Sequence, residues 1–265
     1  MYKINYEIRF EKSAPITGTA ETGRGAWRLT PVLPQDKIVS ARAEMPLAVS
    51  EDERIFINGY QTWTFCPEYT REDKIPGVGR FPKFIVDHYG MDRYGDYHFV
   101  DYPRRAGLLH GESWCYFRRG EDFRLVASLS ERAGYTLFTY DAPNGLLTVQ
   151  RDCAGIECGG EYPVFELFFA EGAEDAVFDA WFAEMGIKPR TQVKLAGYTS
   201  WYNRYQSINE DSISDDLVGC AAFMRAGDLF QIDDGWESAV GDWLEADEKK
   251  FPLGMKMLAD GIHRR

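Results

Sequence analysis

The chain has 265 residues, 45% hydrophobic and 27% charged, with a formal net charge of −12. That length allows one large or two modest domains, and that apolar fraction suits a folded globular protein rather than a disordered one. The acidic balance argues against a nucleic-acid partner, which would need a basic footprint.

Other classes fall away on simple grounds. No apolar run is long enough to cross a membrane, so no membrane partner is expected. The opening residues Met1-Tyr2-Lys3-Ile4-Asn5 lack the apolar stretch of a signal peptide, which leaves a cytoplasmic setting as the expectation. The five cysteines, Cys66, Cys115, Cys153, Cys158 and Cys220, form no CxxC pair and suggest neither a disulfide framework nor a zinc site. The histidines His88, His98, His110 and His263 have no ligand spacing and read as structural or exposed. Asp233, Asp234 and Asp242 could in principle hold a magnesium ion, but no phosphate-cradling glycine loop and no HExxH occurs, so no metal site and no cofactor is expected, and no Gly-x-Ser-x-Gly elbow is present for serine-based hydrolysis.

Tyr2, Ile4, Tyr6, Ile8 and Phe10 alternate with polar residues, the period of a half-buried strand. Further strands are predicted at 55–57, 114–118, 124–129, 135–140, 146–150 and 164–169, with Asn144-Gly145 as a hairpin turn. Residues 1–171 therefore read as an antiparallel β-domain, a large sandwich. Val177, Phe178, Trp181, Phe182 and Met185 recur at helical spacing before Gly186, so 172–190 reads as a linking helix.

From 191 the rhythm is strand–helix–strand–helix. Strands are predicted at 194–199 and 228–232. A helix follows Asn209, with Asn209 as cap and Ile208 and Ile213 as a hydrophobic staple, and another begins at Pro252. This is the repeat of a parallel α/β fold, and only two such units fit in 191–265 where a (β/α)8 barrel needs eight.

Candidate binding residues cluster just after the two predicted strands of that region. Asp233 and Asp234 emerge at a strand's C-terminal end, where parallel α/β folds place ligand sites. Adjacent carboxylates can accept strong hydrogen bonds from several hydroxyls of one sugar ring. Trp201, Tyr202, Trp236 and Trp243 could offer stacking faces, and Asp242 sits beside the last of these. The competing readings are structural: a turn with a capping residue for Asp233-Asp234 and for Asp242, and core packing for the aromatic residues.

Four stretches together resemble glycoside hydrolase family 36, the α-galactosidases and raffinose-synthase-like enzymes. They are Gly197-Tyr198-Thr199-Ser200-Trp201-Tyr202, Ile232-Asp233-Asp234-Gly235, Gly241-Asp242-Trp243 followed by Phe251-Pro252-Leu253-Gly254-Met255, and Asn58-Gly59-Tyr60-Gln61-Thr62-Trp63-Thr64. Tyr198 and Tyr60 stand where the family has tryptophan. The resemblance implies a β-supersandwich, a linking helix and the start of a (β/α)8 barrel. It implies that Asp233 and Asp234 hold the 4- and 6-hydroxyls of galactose, with Trp201, Tyr202, Trp63, Asp242 and Trp243 around the sugar. The family's nucleophile and acid/base would lie beyond Arg265, so no catalytic residue is assigned and the chain by itself is expected to be inactive. An α-galactoside oligosaccharide is the implied partner, and a homo-oligomer, a tetramer, is implied too. A galactosyl transglycosidase and a non-catalytic carbohydrate-binding protein are the alternatives.

Overall fold

The structure is a computed structural model that describes residues 1–57, 65–103, 105–190 and 193–264. It divides into two compact units, Met1–Lys188 and Pro189–Arg265.

In chain order the first unit holds β1 (Tyr2–Phe10), β2 (Ile16–Thr22), β3 (Gly25–Leu29), β4 (Val32–Pro46), β5 (Arg54–Ile57), α1 (Lys83–Tyr89), β6 (Leu108–Glu112), β7 (Trp114–Arg119), β8 (Asp122–Ser128), β9 (Thr136–Asp141), β10 (Leu146–Arg151), β11 (Glu157–Glu161), β12 (Phe165–Gly172) and α2 (Glu174–Glu184). Two antiparallel sheets result. One runs β2-β1-β4-β10-β9-β6, with β11 also paired to β4; the other runs β3-β12-β8-β7-β5.

Alternation explains the core between the sheets. Ile4 and Ile8 of β1, Ala41, Ala43 and Met45 of β4, and Leu147 and Val149 of β10 meet Phe117 of β7, Val126 of β8 and Phe165, Leu167 and Phe169 of β12. The second sheet is apolar on its other face too. There Phe123, Leu125, Ala127, Phe168 and Ala170 pack under Val177 and Trp181 of α2. Such two-faced burial is why β8 and β12 read as near-continuous apolar runs rather than alternating ones. The Trp181 indole also donates to the Ser128 carbonyl at 2.9 Å, which fixes the helix on the sheet. Gly186, at φ +68°, follows the helix end in the left-handed conformation that glycine tolerates.

The crossing from one sheet to the other occurs at Ser113, between β6 and β7. It takes φ +65°, and its N–H and C=O are satisfied by Thr136 and Ser128. The excursion before β6 is tied to the sheet by buried Asp96, whose Oδ2 accepts from the Tyr102 hydroxyl at 2.7 Å and lies 2.6 Å from His110 Nε2. His110 is thus a buried structural histidine. The turn after β1 is held by Asp36, whose carboxylate accepts from the backbone N–H groups of Lys12, Ser13 and Lys37.

The second unit holds β13 (Gly197–Thr199), α3 (Trp201–Arg204), α4 (Glu210–Cys220), β14 (Leu229–Gln231) and α5 (Met255–His263). The two strands pair in parallel, Gly197 opposite Leu229 and Thr199 opposite Gln231. Its core gathers Ile208, Ile213, Cys220, Phe230, Phe251 and Leu258. Asn209 caps α4 in a reciprocal box with Ser212, as its side-chain type requires. Both strands are shorter than the 194–199 and 228–232 expected from apolar content. The last helix begins at Met255 and not at Pro252, because Gly254 takes φ +78° and its N–H closes a turn onto Phe251. No helix among the described residues is long and apolar enough to cross a membrane.

Two stability predictions follow from these contacts. Trp181→Ala should lower the stability of the first unit by about 3–5 kcal/mol, read from chemical denaturation. For Asp36, partial burial opposes ionisation, but the three N–H donors outweigh it and bring the carboxyl down to about 2. Its stabilising contribution is complete above the ordinary carboxylate range and is lost as pH falls towards 2. Melting of the wild type and Asp36→Asn should therefore differ most near neutral pH and converge in acid.

Candidate functional site

The site is built where β13 and β14 end. Parallel pairing brings Ser200 and Asp233 side by side, and Ser200, fully buried, links the two strand ends. Its N–H donates to the Gln231 carbonyl at 3.1 Å, and its Oγ accepts from the Asp233 N–H at 2.9 Å.

Both aspartates are half-buried and closely held. Asp233 Oδ2 accepts from Gln231 Nε2 at 2.7 Å and from Thr199 Oγ1 at 3.2 Å, while its Oδ1 accepts from the Asp234 N–H at 2.8 Å. Asp234 Oδ2 accepts from Gln206 Nε2 at 2.7 Å, and its Oδ1 accepts from the Gly235 N–H at 3.0 Å. The Gln206 amide holds the Asp234 carboxyl below the usual carboxylate range, assisted by the Gly235 N–H and the Lys250 charge and opposed by partial burial.

Gly235 is required by the turn. It has φ +103°, and a Cβ there would lie 2.7 Å from the Gln206 backbone. Buried Glu237 accepts from the Gly235 N–H at 2.9 Å, and Lys250 Nζ donates to the Gly235 carbonyl at 2.8 Å. The loop that follows doubles back through a bridge between Glu237 and Ala246 and a bond from the Asp247 N–H to the Trp236 carbonyl.

A second network underpins the first loop. Arg204 grips Asp216 of α4 through two 2.7 Å bonds, and the Tyr198 hydroxyl donates to the same carboxylate at 2.7 Å. The paired guanidinium lowers the Asp216 carboxyl, and burial followed by the hydrogen bonds of Asn203 and Asp216 shapes Tyr198, whose net shift is upward. A tryptophan at 198 could not reach Asp216 with a hydroxyl.

The aromatic residues expected at the site divide. Trp201 is half-buried and packs its ring edge-on to Tyr205, 5.3 Å between centroids. Tyr202 is 84% exposed. Trp243, 58% exposed, lies 6.4 Å from the half-buried Trp236, and the two line an open concavity of roughly 620 Å³ with Ile232, Leu244, Ala246 and Met255. Asp233 and Asp234 are not among its lining residues; they lie in sequence between Ile232 and Trp236, which are. Asp242 sits in a turn closed by its N–H onto the Ala239 carbonyl, well before the next helix, so it is not a helix cap. Trp63, with the whole 58–64 stretch, lies outside the described residues. Sequence reading missed Gln206, Glu237 and Lys250, for which no local pattern exists. Among the described residues no group of three or more His, Cys, Asp or Glu is placed to hold a metal ion.

This geometry makes the pair a fixed acceptor surface. Asp234, its carboxyl held below the usual range, is ionised at neutral pH, whereas a general acid needs a raised pKa. Gly235→Ala should lower the stability of the second unit by more than about 1 kcal/mol, measured by thermal melting, since a side chain there meets both a positive φ and the Gln206 backbone.

No protein-family profile matches the sequence, and no curated protein matches it. Among solved structures it is similar to the GH36 α-galactosidase AgaA of Geobacillus stearothermophilus, at 12% identity and a TM-score of 0.49, over 98% of this chain and 44% of that one. Variants of AgaA in complex with raffinose (11% identity, TM-score 0.49) and with stachyose (10%, 0.48) are similar over the same shares. The chain thus spans less than half the length of those enzymes. At this identity and TM-score the likeness assigns no activity to the residues described above. Each of these three solved structures, similar to this chain along 98% of its length, is of an α-galactosidase of glycoside hydrolase family 36.

Proposed function

We propose that this chain is part of a retaining α-galactosidase in which Asp233 and Asp234 bind the hydroxyls of a terminal α-galactosyl residue. The observation that carries this reading is a pair of immobilised carboxylates at the C-terminal ends of two parallel strands. Residues 191–265 would open a (β/α)8 barrel, whose ligand sites lie at that end of the strands. The four sequence stretches quoted above support the same assignment.

Recognition would be by hydroxyl geometry. The carboxylates accept only, so each free lone pair selects a hydroxyl in one direction. A galactose 4-hydroxyl is axial and that of glucose equatorial, and a buried acceptor left without its donor is costly. Trp236 and Trp243 would offer an apolar face for the ring or for the next sugar of an oligosaccharide. A retaining mechanism needs two carboxyls about 5–5.5 Å apart, one attacking and one donating a proton. Two adjacent aspartates engaged by Thr199, Gln231 and Gln206 suit neither role, so the chain alone is expected to leave a p-nitrophenyl α-galactoside intact. A galactosyl-transferring enzyme would use the same binding pair and differ in its acceptor.

The test is sugar binding by the purified chain, followed through the indole N–H resonances, with galactose and glucose. Galactose should bind and glucose should bind more weakly. Asp233→Asn and Asp234→Asn should each weaken galactose by about tenfold or more, the loss of a hydrogen bond to a charged group. Equal affinity for the two sugars, or unchanged affinity in both variants, would overturn the assignment.

A further inference from the structure

We infer that Lys250 and Glu237 are positioning residues that set the direction in which the Asp234 carboxylate meets a sugar hydroxyl. The inference rests on the galactose-binding reading of that carboxylate.

The geometry converges on Gly235. Its N–H is held by Glu237 Oε2 at 2.9 Å and its C=O by Lys250 Nζ at 2.8 Å. The same ammonium reaches the Gln206 carbonyl at 3.3 Å. Gln206 is the residue whose side-chain amide holds Asp234 Oδ2. One lysine therefore ties together the peptide that follows Asp234 and the peptide that carries its amide donor. Turning the Gly235 peptide would swing the Asp234 carboxyl, and moving Gln206 would remove the donor from it.

Each positioning group is itself anchored. Glu237 is buried and bridges to Ala246 across the returning loop. The Lys250 N–H bonds to the Asp247 carbonyl and to Asp247 Oδ1, and the Lys250 carbonyl accepts from the Glu210 N–H at the start of α4. The lysine is thus delivered from a segment packed on α4, some distance along the chain from the turn it supports. The charged groups around Asp234 are Asp233, adjacent in sequence, Glu237 and Lys250. Lys250 is the one cation among them, and its attraction favours the ionised carboxylate that a hydroxyl donor requires.

A purely structural lysine would stabilise the turn without altering selectivity. Three measurements on the intact chain separate the two roles: galactose and 4-deoxygalactose affinity, the titration of the Asp234 side-chain carboxyl by ¹³C resonance, and thermal melting. Lys250→Met and Glu237→Leu, which remove the donor to the Gly235 carbonyl and the acceptor of the Gly235 N–H, should weaken galactose by about tenfold. They should also narrow its preference over 4-deoxygalactose, and Lys250→Met should move the Asp234 titration upward. Lys250→Arg should restore much of the preference, because a guanidinium can also donate to two carbonyls. Unchanged preference and unchanged titration in folded Lys250→Met and Glu237→Leu would overturn the inference. Should Lys250→Met fail to fold, Glu237→Leu decides through the same readouts. If the wild type binds neither sugar while the Asp234 titration still moves in Lys250→Met, the galactose reading fails and the positioning of the carboxylate stands.

Discussion

Ser200 joins the ends of β13 and β14 through one backbone and one side-chain hydrogen bond, and the candidate site depends on that junction. Parallel strands point their C-terminal ends the same way, so two loops distant in sequence emerge together. A buried serine hydroxyl then fixes where the second loop starts. With the Asp233 N–H committed to Ser200, the carboxyl is left to Thr199 and Gln231, and the chain turns through Asp234 into Gly235. Only a residue without a side chain can pass so close to the Gln206 backbone.

Around this junction the second unit spends many of its polar side chains on holding loops. Arg204 and Tyr198 commit to Asp216, Gln206 to Asp234, Glu237 and Lys250 to Gly235. The result is a pair of carboxylates whose directions are fixed by the fold itself. Trp243, in the loop that follows, remains much more exposed than a core tryptophan.

The first unit answers a different constraint. Its five-stranded sheet must bury two faces, one against the seven-stranded sheet and one under α2. The helix is therefore a structural layer of this unit, seated by the Trp181 indole on the Ser128 carbonyl. Long excursions between strands are tied down by buried polar pairs such as Asp96 with His110 and Tyr102, where burial makes an unmet hydrogen bond costly.

Local pattern determined much of this. The alternation from Tyr2 to Phe10 fixed β1, Asn209 marked the start of α4, and the apolar spacing of Val177 and Trp181 fixed α2. The Asp-Asp-Gly stretch after a short apolar run marked the candidate site. Other elements were hidden for physical reasons. The inward face of β4 is built partly from Ala41 and Ala43, too small to mark a period, and β2 is half-exposed along its length, with Thr and Gly in place of large apolar residues. Gly254 displaced the start of α5 because its positive φ cannot be read from helical spacing. What only the tertiary structure decided is which side chains hold the aspartates. Gln206, which holds Asp234, lies between α3 and α4, while Glu237 and Lys250, which hold Gly235, lie in the segment between β14 and α5; they converge through chain return, not through any sequence period. A sequence specifies periods and turns through near neighbours; partners brought together by folding leave no mark on it until the backbone has closed.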